Sequence, residues 1–234
     1  WDILKLKKET IIITGSNSFI ARKFIEINKY KYNLIKLNKK NGYSFSKKIF
    51  VKNKKIDYFI HAAFIKDLKK NNYKKNYKSN IKGIINSLEF CKERNIKFIF
   101  LSSYLYGISK KIPIDENCET NPHNIYAKCK EECESLCQQY AKRYNMDIIS
   151  LRIFNIYGQV NDNHYLISYI LNLVKRYQVE KKTILLEDYQ SKRDYLHIHD
   201  LNNLFNKIIN KGFENFNLYN VGSGKSYSIR DIIK

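Results

Sequence analysis

The sequence predicts an α/β protein built on a doubly wound parallel sheet. Short, continuously apolar and β-branched runs alternate with longer segments whose apolar residues recur at helical spacing. Strands that are apolar on both faces are typical of a parallel sheet covered by helices on both sides. Only two prolines occur in 234 residues, and no linker or repeat interrupts the alternation. The whole chain is therefore expected to form one continuous α/β architecture.

The predicted elements follow one another in a regular order. Strands are expected at residues 9–14, Asn33–Leu37, 56–62, Lys97–Leu101 and 147–152. Helices are expected at Phe19–Asn28, 80–94 and 126–144. The stretch between Leu37 and Ile56 is short for a further strand and helix. We therefore expect an abbreviated crossover there.

Composition limits the classes of protein to consider. A hydrophobic content of 44% is enough for one good core. No apolar run approaches the roughly 20 residues that span a bilayer, and the chain does not open with a signal-peptide pattern. These features predict a cytoplasmic protein without a membrane partner. The sequence starts at Trp1, and residues 229–234 resemble the opening of a helix. We therefore also expect the sequence to be a fragment that is cut short at one or both ends.

The formal charge of +21 raises the hypothesis of a nucleic-acid partner. Lysine pairs are scattered through every segment and do not concentrate in one patch. This distribution favours a solvated basic surface, so we predict no nucleic-acid partner.

The five cysteines form no Cys-x-x-Cys pair. Cys129, Cys133 and Cys137 are spaced by four residues and would line one stripe of a helix, but no histidine on that helix completes a ligand set. We predict small apolar core or interface positions and no metal site.

A turn suited to phosphate follows the first predicted strand. A Rossmann-like dinucleotide site needs three small residues there, and Gly15, Ser18 and Ala21 occupy those positions. The amides and dipole of the following helix would attract phosphate. We therefore expect Gly15, Ser18, Phe19 and Ile20 to contact the pyrophosphate of a dinucleotide.

The end of the second strand discriminates between NAD and NADP. An acidic residue there would bind the ribose 2′-hydroxyl of NAD, but Asn38 and Lys39 occupy this position. An amide followed by a cation suits a 2′-phosphate better, so NADP is preferred slightly over NAD. The alternative is that the lysine only reflects the composition of the chain.

Gly224-Lys225-Ser226 resembles the end of a triphosphate-binding loop. The required earlier glycine is replaced by Tyr219, so a structural turn is the better interpretation.

A serine at a strand end and a tyrosine–lysine pair suggest acid–base chemistry. Ser102 and Ser103 follow the strand Lys97–Leu101, and ligands bind at the carboxyl ends of parallel strands. Tyr126 and Lys130 are four residues apart on one helical face. A phenol with a pKa of about 10 is a poor base near neutrality, and a lysine one turn away would favour the phenolate. Lys130 could also hold the nicotinamide ribose, while a serine at the strand end orients a substrate oxygen.

Taken in order, eight blocks make the chain resemble an extended short-chain dehydrogenase/reductase of the NAD-dependent epimerase/dehydratase family, whose members modify nucleotide sugars. The blocks are IIITGSNSFIA, IDYFIHAA, SNIKGIINSLEFC, FLSSYLYG, NPHNIYAKCK, LRIFNIYG, KRDYLHIHDL and YNVGSGKSYSIRDI. The resemblance covers almost the entire chain and implies catalysis by Ser102, Tyr126 and Lys130.

The same resemblance implies binding residues. Cofactor contacts are expected from the first turn, from Tyr126 and Lys130, and from Ala62, Ala63 and Asn80. Substrate contacts are assigned to Ser103, Asn155 and Arg193. An arginine fork suits the diphosphate of a nucleotide sugar on physical grounds as well.

Two positions depart from related enzymes and narrow the chemistry. Family members that eliminate water usually carry an Asp-Glu pair where this chain has Ser103 and Tyr104, which disfavours a 4,6-dehydratase. Members that epimerise next to a ketone, as GDP-fucose synthase does, carry a cysteine where this chain has Tyr104. A 4-epimerase and a 4-keto-sugar reductase remain. The weakened glycine turn keeps a further alternative open, a non-catalytic NAD(P)-binding sensor or scaffold.

The resemblance also implies how the chain is organised. Residues 1–157 are expected to form the NAD(P)-binding domain. Residues 158–234 are expected to supply substrate-binding elements interleaved with the last strands, in a small lobe that is cut short. Helix 80–94 and the helix after Tyr126 commonly pair across a dimer in this family, so a homodimer is expected.

Overall fold

A computed structural model describes residues 8–53, 55–67, 72–109, 111–159, 165–180 and 189–233. Its strands are β1 (Thr10–Thr14), β2 (Asn33–Leu37), β3 (Tyr58–His61), β4 (Lys97–Leu101), β5 (Ile148–Ile153), β6 (Asn155–Tyr157), β7 (Arg193–His197), β8 (Phe216–Val221) and β9 (Ser226–Tyr227). Its helices are α1 (Phe19–Asn28), α2 (Tyr73–Arg94), α3 (Ile125–Tyr144), α4 (Leu166–Glu180), α5 (Ile198–Lys211) and α6 (Ile229–Ile233).

Six strands form one parallel sheet in the order β2-β1-β3-β4-β5-β8. The chain order reverses between β1 and β3, so the carboxyl ends of these strands border the crevice where open α/β sheets bind ligands. The doubly wound parallel sheet predicted from the sequence is confirmed.

The abbreviated crossover is also present. Among the described residues between β2 and β3, the regular structure is a single 3₁₀ turn, Lys39–Asn41. By contrast, α2 begins at Tyr73, seven residues before the predicted start. Its first two turns are mostly polar and contain no buried residue, so they carry no apolar pattern from which the sequence could predict them.

Apolar side chains fill both sides of the sheet. Helices α1 and α5 cover one face, where Phe24 and Phe205 meet edge to face with ring centroids 5.5 Å apart. Helices α2 and α3 cover the other face. All three cysteines of the α3 stripe are buried there, so their prediction as apolar core positions is confirmed.

A second, smaller sheet stands beyond the carboxyl end of β5. Its order is β6-β7-β9, with β6 parallel and β9 antiparallel to β7. Asn155 in β6 lies opposite Tyr195 in β7. This sheet therefore brings the predicted substrate residues Asn155 and Arg193 onto neighbouring strands. Within the described part of the chain, no helix has both the length and the apolar character needed to cross a membrane.

Candidate functional site

The start of α3 places Tyr126 and Lys130. Asn124 caps the helix, with its side-chain oxygen accepting the amide of Ala127 at 2.8 Å. The cap fixes where the helix begins, and therefore which face Tyr126 and Lys130 share one turn apart. That face looks toward the carboxyl end of β4.

Lys130 is almost fully buried, with 6% of its surface exposed. Its ammonium donates a hydrogen bond to the carbonyl of Leu101 at 2.6 Å. It also lies 4.2 Å from the ring centroid of Phe64 and 5.0 Å from that of Phe100. Burial lowers the pKa of Lys130 to about 8. The lysine is thereby tied to the strand end that precedes Ser102.

Ser102 is buried, with 5% exposed, and its hydroxyl has no hydrogen-bond partner among the described residues. Leaving a buried hydroxyl unsatisfied costs free energy of roughly 1–3 kcal/mol. An orphaned hydroxyl at the carboxyl end of β4 is therefore a group prepared for a ligand.

Tyr126 lies within the same cluster. Its ring meets Phe64 edge to face, with centroids 5.1 Å apart. Burial raises the pKa of Tyr126, and an interaction with the side chain of Ser103 partly offsets the rise. The phenol is therefore protonated at neutral pH in this environment and can donate its proton to a substrate oxygen.

The turn after β1 fits a pyrophosphate. Gly15 has φ +62°, and a Cβ there would stand 2.7 Å from the Cα of Ala63 and 2.9 Å from the carbonyl carbon of Ala62. Only glycine permits this close approach between the turn and the chain that leaves β3. The first turn of α1 holds no acidic residue, so its amides and dipole remain suited to phosphate.

The other predicted residues of this turn have defined positions. The Ser18 hydroxyl caps α1 by accepting the amide of Ala21 at 3.4 Å. Phe19 is buried and packs edge to face against Tyr165, with ring centroids 5.0 Å apart. Ile20 is half-buried and packs against the core. These side chains shape the turn, so a phosphate would meet mainly backbone amides.

Asn38 organises the loop after β2. Its amide nitrogen donates to the Ser16 hydroxyl at 2.8 Å, and its oxygen accepts the backbone amide of Lys40 at 2.9 Å. Asn38 thereby joins this loop to the phosphate turn. Lys39 is exposed beside it.

Asn80 is buried, and its side chain is bonded to the backbone of the loop after β3. It accepts the amide of Ile65 at 2.8 Å and donates to the carbonyl of the same residue at 3.1 Å. Asn80 therefore acts on the site by fixing the segment that follows Ala62 and Ala63.

Asn155 and Arg193 stand on the second sheet. The Asn155 side chain donates to the carbonyl of Asp194 at 3.1 Å, and both Asn155 and Arg193 are exposed. Burial raises the pKa of Tyr104, and the charge of Arg193 partly offsets that rise. Because Tyr104 follows Ser102 by two residues, the second sheet adjoins the cluster of Ser102, Tyr126 and Lys130.

Three further residues at the site were not predicted: Phe64, Asn124 and Asp194. Asn124 carries a usable signal, an asparagine directly before a helical pattern. Phe64 meets Tyr126 and Lys130 only through the tertiary fold, and no local pattern marks such a contact.

Fold and site together define an α/β protein of the dinucleotide-binding type. A serine, a tyrosine and a lysine cluster at the carboxyl end of its central strand β4. Residues 11–222 match the NAD dependent epimerase/dehydratase family, and the chain belongs to that family, an extended short-chain dehydrogenase/reductase.

Curated relatives carry several activities. A dTDP-D-glucose 4,6-dehydratase from Dictyostelium discoideum is 30% identical over 196 residues, which cover 77% of this chain and 44% of the relative. A GDP-6-deoxy-D-mannose reductase from Pseudomonas aeruginosa is 29% identical over 159 residues, covering 65% of this chain and 52% of the relative. The chain spans about half the length of the curated relatives it matches.

Solved structures share the fold. RMD from Pseudomonas aeruginosa, complexed with NADPH, has a TM-score of 0.83 at 22% identity, over 95% of this chain and 79% of that one. UDP-glucose 4-epimerase from Thermotoga maritima, with UDP-glucose, has a TM-score of 0.78 at 20% identity, over 95% and 80%.

Proposed function

We propose that the chain is an NAD(P)-dependent nucleotide-sugar epimerase or 4-keto-sugar reductase that acts through Ser102, Tyr126 and Lys130. The observation that carries this proposal is the orphaned Ser102 hydroxyl. It is buried at the carboxyl end of β4, where the Lys130 ammonium bonds to the carbonyl of the preceding residue, Leu101, and the Tyr126 phenol interacts with the side chain of the following residue, Ser103.

Each residue has a role that its contacts support. Ser102 would donate its hydroxyl hydrogen bond to the sugar oxygen at the reacting carbon. In a reductase Tyr126 would donate its proton to the same oxygen, since its phenol is protonated in this environment. In an epimerase the phenol would first have to lose its proton, so that the phenolate can accept the proton of the sugar hydroxyl as hydride leaves for NAD. Lys130 would hold the cofactor ribose. Ser103 would keep the phenol oriented.

The cofactor would supply or accept a hydride. The turn at Gly15 and the first amides of α1 would bind its pyrophosphate, and Ala62 and Ala63 would form the adjoining wall, held in place by the bonds of Asn80 to Ile65. For the adenosine end we prefer NADP over NAD, because Lys39 is exposed beside Asn38, which ties this loop to the phosphate turn, and so offers a cation to a 2′-phosphate. The structurally similar protein RMD was solved with NADPH, which is consistent with this preference.

A nucleotide sugar is the proposed substrate. Arg193 and Asn155 would bind its diphosphate from the second sheet, and Ser103 would contact the sugar. A dTDP-D-glucose 4,6-dehydratase, a UDP-glucose 4-epimerase and a GDP-6-deoxy-D-mannose reductase among the relatives support this class of substrate without fixing the nucleotide.

Product formation tests the proposal. The chain is incubated with NADPH or NAD and a panel of UDP-, GDP-, CDP- and dTDP-sugars, and products are separated by chromatography. Tyr126→Phe is expected to lower turnover by a factor of about 100 or more. Tyr144→Phe, at the far end of the same helix, is the matched control and should keep full activity. Full activity in Tyr126→Phe would refute the mechanism, and tight cofactor binding with no turnover on any sugar would favour the sensor or scaffold.

Cofactor preference separates the two proposed reactions. Tighter binding of NADPH than of NADH points to reduction, whereas tightly retained NAD points to epimerisation. Lys39→Ala is expected to weaken NADPH by about tenfold and to leave NADH unchanged, because only the phosphate contact is lost. An equal loss for both cofactors would remove the role of Lys39.

We also propose a cytoplasmic homodimer. All five cysteines are free, which suits a reducing compartment. Helices α2 and α3 pack side by side through Tyr140, whose hydroxyl donates to Glu89 at 2.7 Å, and the outer faces of the two helices would form the interface. Sedimentation analysis tests the assembly, and a monomer at all concentrations would contradict it.

A further inference from the structure

The side chain of Asp194 is held by the glycine-rich turn between β8 and β9. One carboxylate oxygen accepts the backbone amide of Ser223 at 2.7 Å and the Ser223 hydroxyl at 2.8 Å. The other oxygen accepts the backbone amide of Gly224 at 2.8 Å. Three donors therefore converge on one carboxylate, and hydrogen bonds to an ionised acceptor are the strong ones.

The turn is shaped for this carboxylate. A Cβ at Gly222 would stand 2.6 Å from a carboxylate oxygen of Asp194, so any larger residue would displace it. Gly224 has φ +76°, a left-handed conformation that lets successive amides face one anion. The Gly224-Lys225-Ser226 segment resembles a phosphate loop in sequence, and in the structure the anion beside it is the protein's own carboxylate.

Asp194 also adjoins two predicted substrate residues, because it follows Arg193 in β7 and its backbone contacts Asn155. Side chains alternate along a strand, so Arg193 and Tyr195 point to the side of β7 opposite to Asp194. Tyr195 is buried, and its hydroxyl has no hydrogen-bond partner among the described residues, which marks that side as ready for a ligand. The backbone carbonyl of Asp194 accepts the side chain of Asn155 at 3.1 Å. The carboxylate of Asp194 thus holds β7 to the turn, and its backbone carbonyl holds the side chain of Asn155.

We propose that Asp194 is a positioning residue for the diphosphate of the nucleotide sugar. By binding the turn, its carboxylate fixes the end of β7 from which Arg193 reaches the ligand, and its carbonyl aligns Asn155. This inference rests on the proposed function, because it assumes that Arg193 and Asn155 bind a diphosphate. Preorganised binding groups lose little entropy on association, so loosening the strand end would weaken binding without touching the chemical groups at Tyr126.

Titration of the full chain with UDP and with GDP, monitored by calorimetry, tests the inference. Asp194→Asn keeps the size of the side chain but replaces one acceptor by a donor that opposes the Gly224 amide. For the nucleoside diphosphate that binds wild type, we expect about a tenfold loss of affinity, matching one charge-assisted hydrogen bond, and unchanged NADPH affinity. In turnover assays KM for the sugar nucleotide should rise while kcat stays within about a factor of two.

Asp147→Asn is the matched control. Asp147 also accepts a backbone amide, that of Asn215 at 2.9 Å, and pairs with Lys97 at 3.0 Å, but it lies at the opposite edge of the sheet. The Asp147→Asn substitution should lower stability and leave diphosphate affinity unchanged. Ser223→Ala removes one donor to Asp194 from the turn itself and should weaken diphosphate binding in the same direction, more mildly. This second variant decides the matter if Asp194→Asn does not fold.

The outcomes separate the inference from the function on which it rests. Arg193→Ala should weaken the diphosphate strongly. If it does and the Asp194 and Ser223 variants bind as wild type does, the positioning role is wrong and the proposed function stands. Equal losses in Asp194→Asn and Asp147→Asn would mean general destabilisation and would also overturn the inference. If neither UDP nor GDP binds wild type, or Arg193→Ala has no effect, the diphosphate site and the inference both fail.

Discussion

Lys130 carries an ammonium group that is surrounded by protein. Its hydrogen bond to Leu101 and the rings of Phe64 and Phe100 compensate part of the cost of removing the charge from water. The remainder appears as a pKa lowered from 10.5 to about 8, with burial as the main cause. A buried lysine with a lowered pKa beside an unsatisfied hydroxyl group is a candidate functional residue.

The lowered pKa predicts a signature in stability. Between about pH 8 and pH 10 the unfolded chain holds more protons at this lysine than the folded chain does, so the free energy of unfolding rises with pH by up to about 1.4 kcal/mol per unit. Below about pH 8 the contribution is constant, because both states are protonated. Lys130→Met removes this rise, and denaturant unfolding of the variant and of wild type at several pH values measures the difference.

Lys128→Met is the control at the residue scale, since Lys128 is exposed on the same helix. Its stability difference from wild type should not depend on pH. A difference between wild type and Lys130→Met that stays constant from about pH 7 to pH 10 would contradict the burial of the charge.

At the scale of elements, the site depends on two helix starts that meet strand ends. The turn into α1 is pressed against the chain leaving β3, and the cap of α3 sets the face that Tyr126 presents. Strands Asn33–Leu37 and Lys97–Leu101 match the prediction to the residue, because each is a short segment of mainly apolar residues with polar residues on both sides. The early start of α2 was missed because its first turns bury little.

Two glycines allow the cost of a steric clash to be separated from the cost of backbone strain. Gly15 and Gly42 both have positive φ, +62° and +88°, but a Cβ at Gly42 meets nothing within 4 Å. Gly42→Ala should cost only the left-handed strain, about 1–2 kcal/mol. Gly15→Ala should cost clearly more and should also weaken NADPH, because the Ala62–Ala63 backbone must move. Chemical unfolding and cofactor titration measure both, and equal costs would show that the turn is not pressed against β3.

Across the whole molecule, a buried polar network joins elements that are distant in sequence. The Arg152 guanidinium donates to Glu134 at 2.6 Å and to the Tyr106 hydroxyl at 2.6 Å. Tyr106 in turn donates to Asn220 at 2.6 Å. The network thereby connects α3, β5, the segment after β4 and β8, and it holds the helix of Tyr126 against the strand end of Ser102.

Removing one partner from this network should lower the free energy of unfolding substantially. Glu134→Leu leaves a buried guanidinium unpaired and is expected to lower the free energy of unfolding by about 3–5 kcal/mol. The double variant Glu134→Leu, Arg152→Met should recover a large part of that loss, because no buried charge remains. Denaturant unfolding of both single variants and the double variant gives the coupling, and additive losses would contradict a tightly paired interior.

The molecule as a whole shows what the sequence can and cannot reveal about the site. Tyr126 and Lys130 are predictable because their relation is local, one turn of one helix. Ser102 is predictable because it ends an apolar strand. The anchoring of β7 by Asp194 is not, because it depends on a turn 30 residues away in the chain. The packing of Phe64 against Tyr126 likewise arises only when the segment after β3 meets α3 in the fold.

The absorbance of the reduced nicotinamide during a single turnover tests the central claim most directly. Wild type carrying cofactor is mixed rapidly with the sugar nucleotide that gave product, or with its 4-keto form. We predict oxidation of NADPH by a reductase, or transient reduction of bound NAD by an epimerase, and neither change in Tyr126→Phe. A cofactor that binds but keeps its redox state with every sugar nucleotide would contradict hydride chemistry at Ser102, Tyr126 and Lys130.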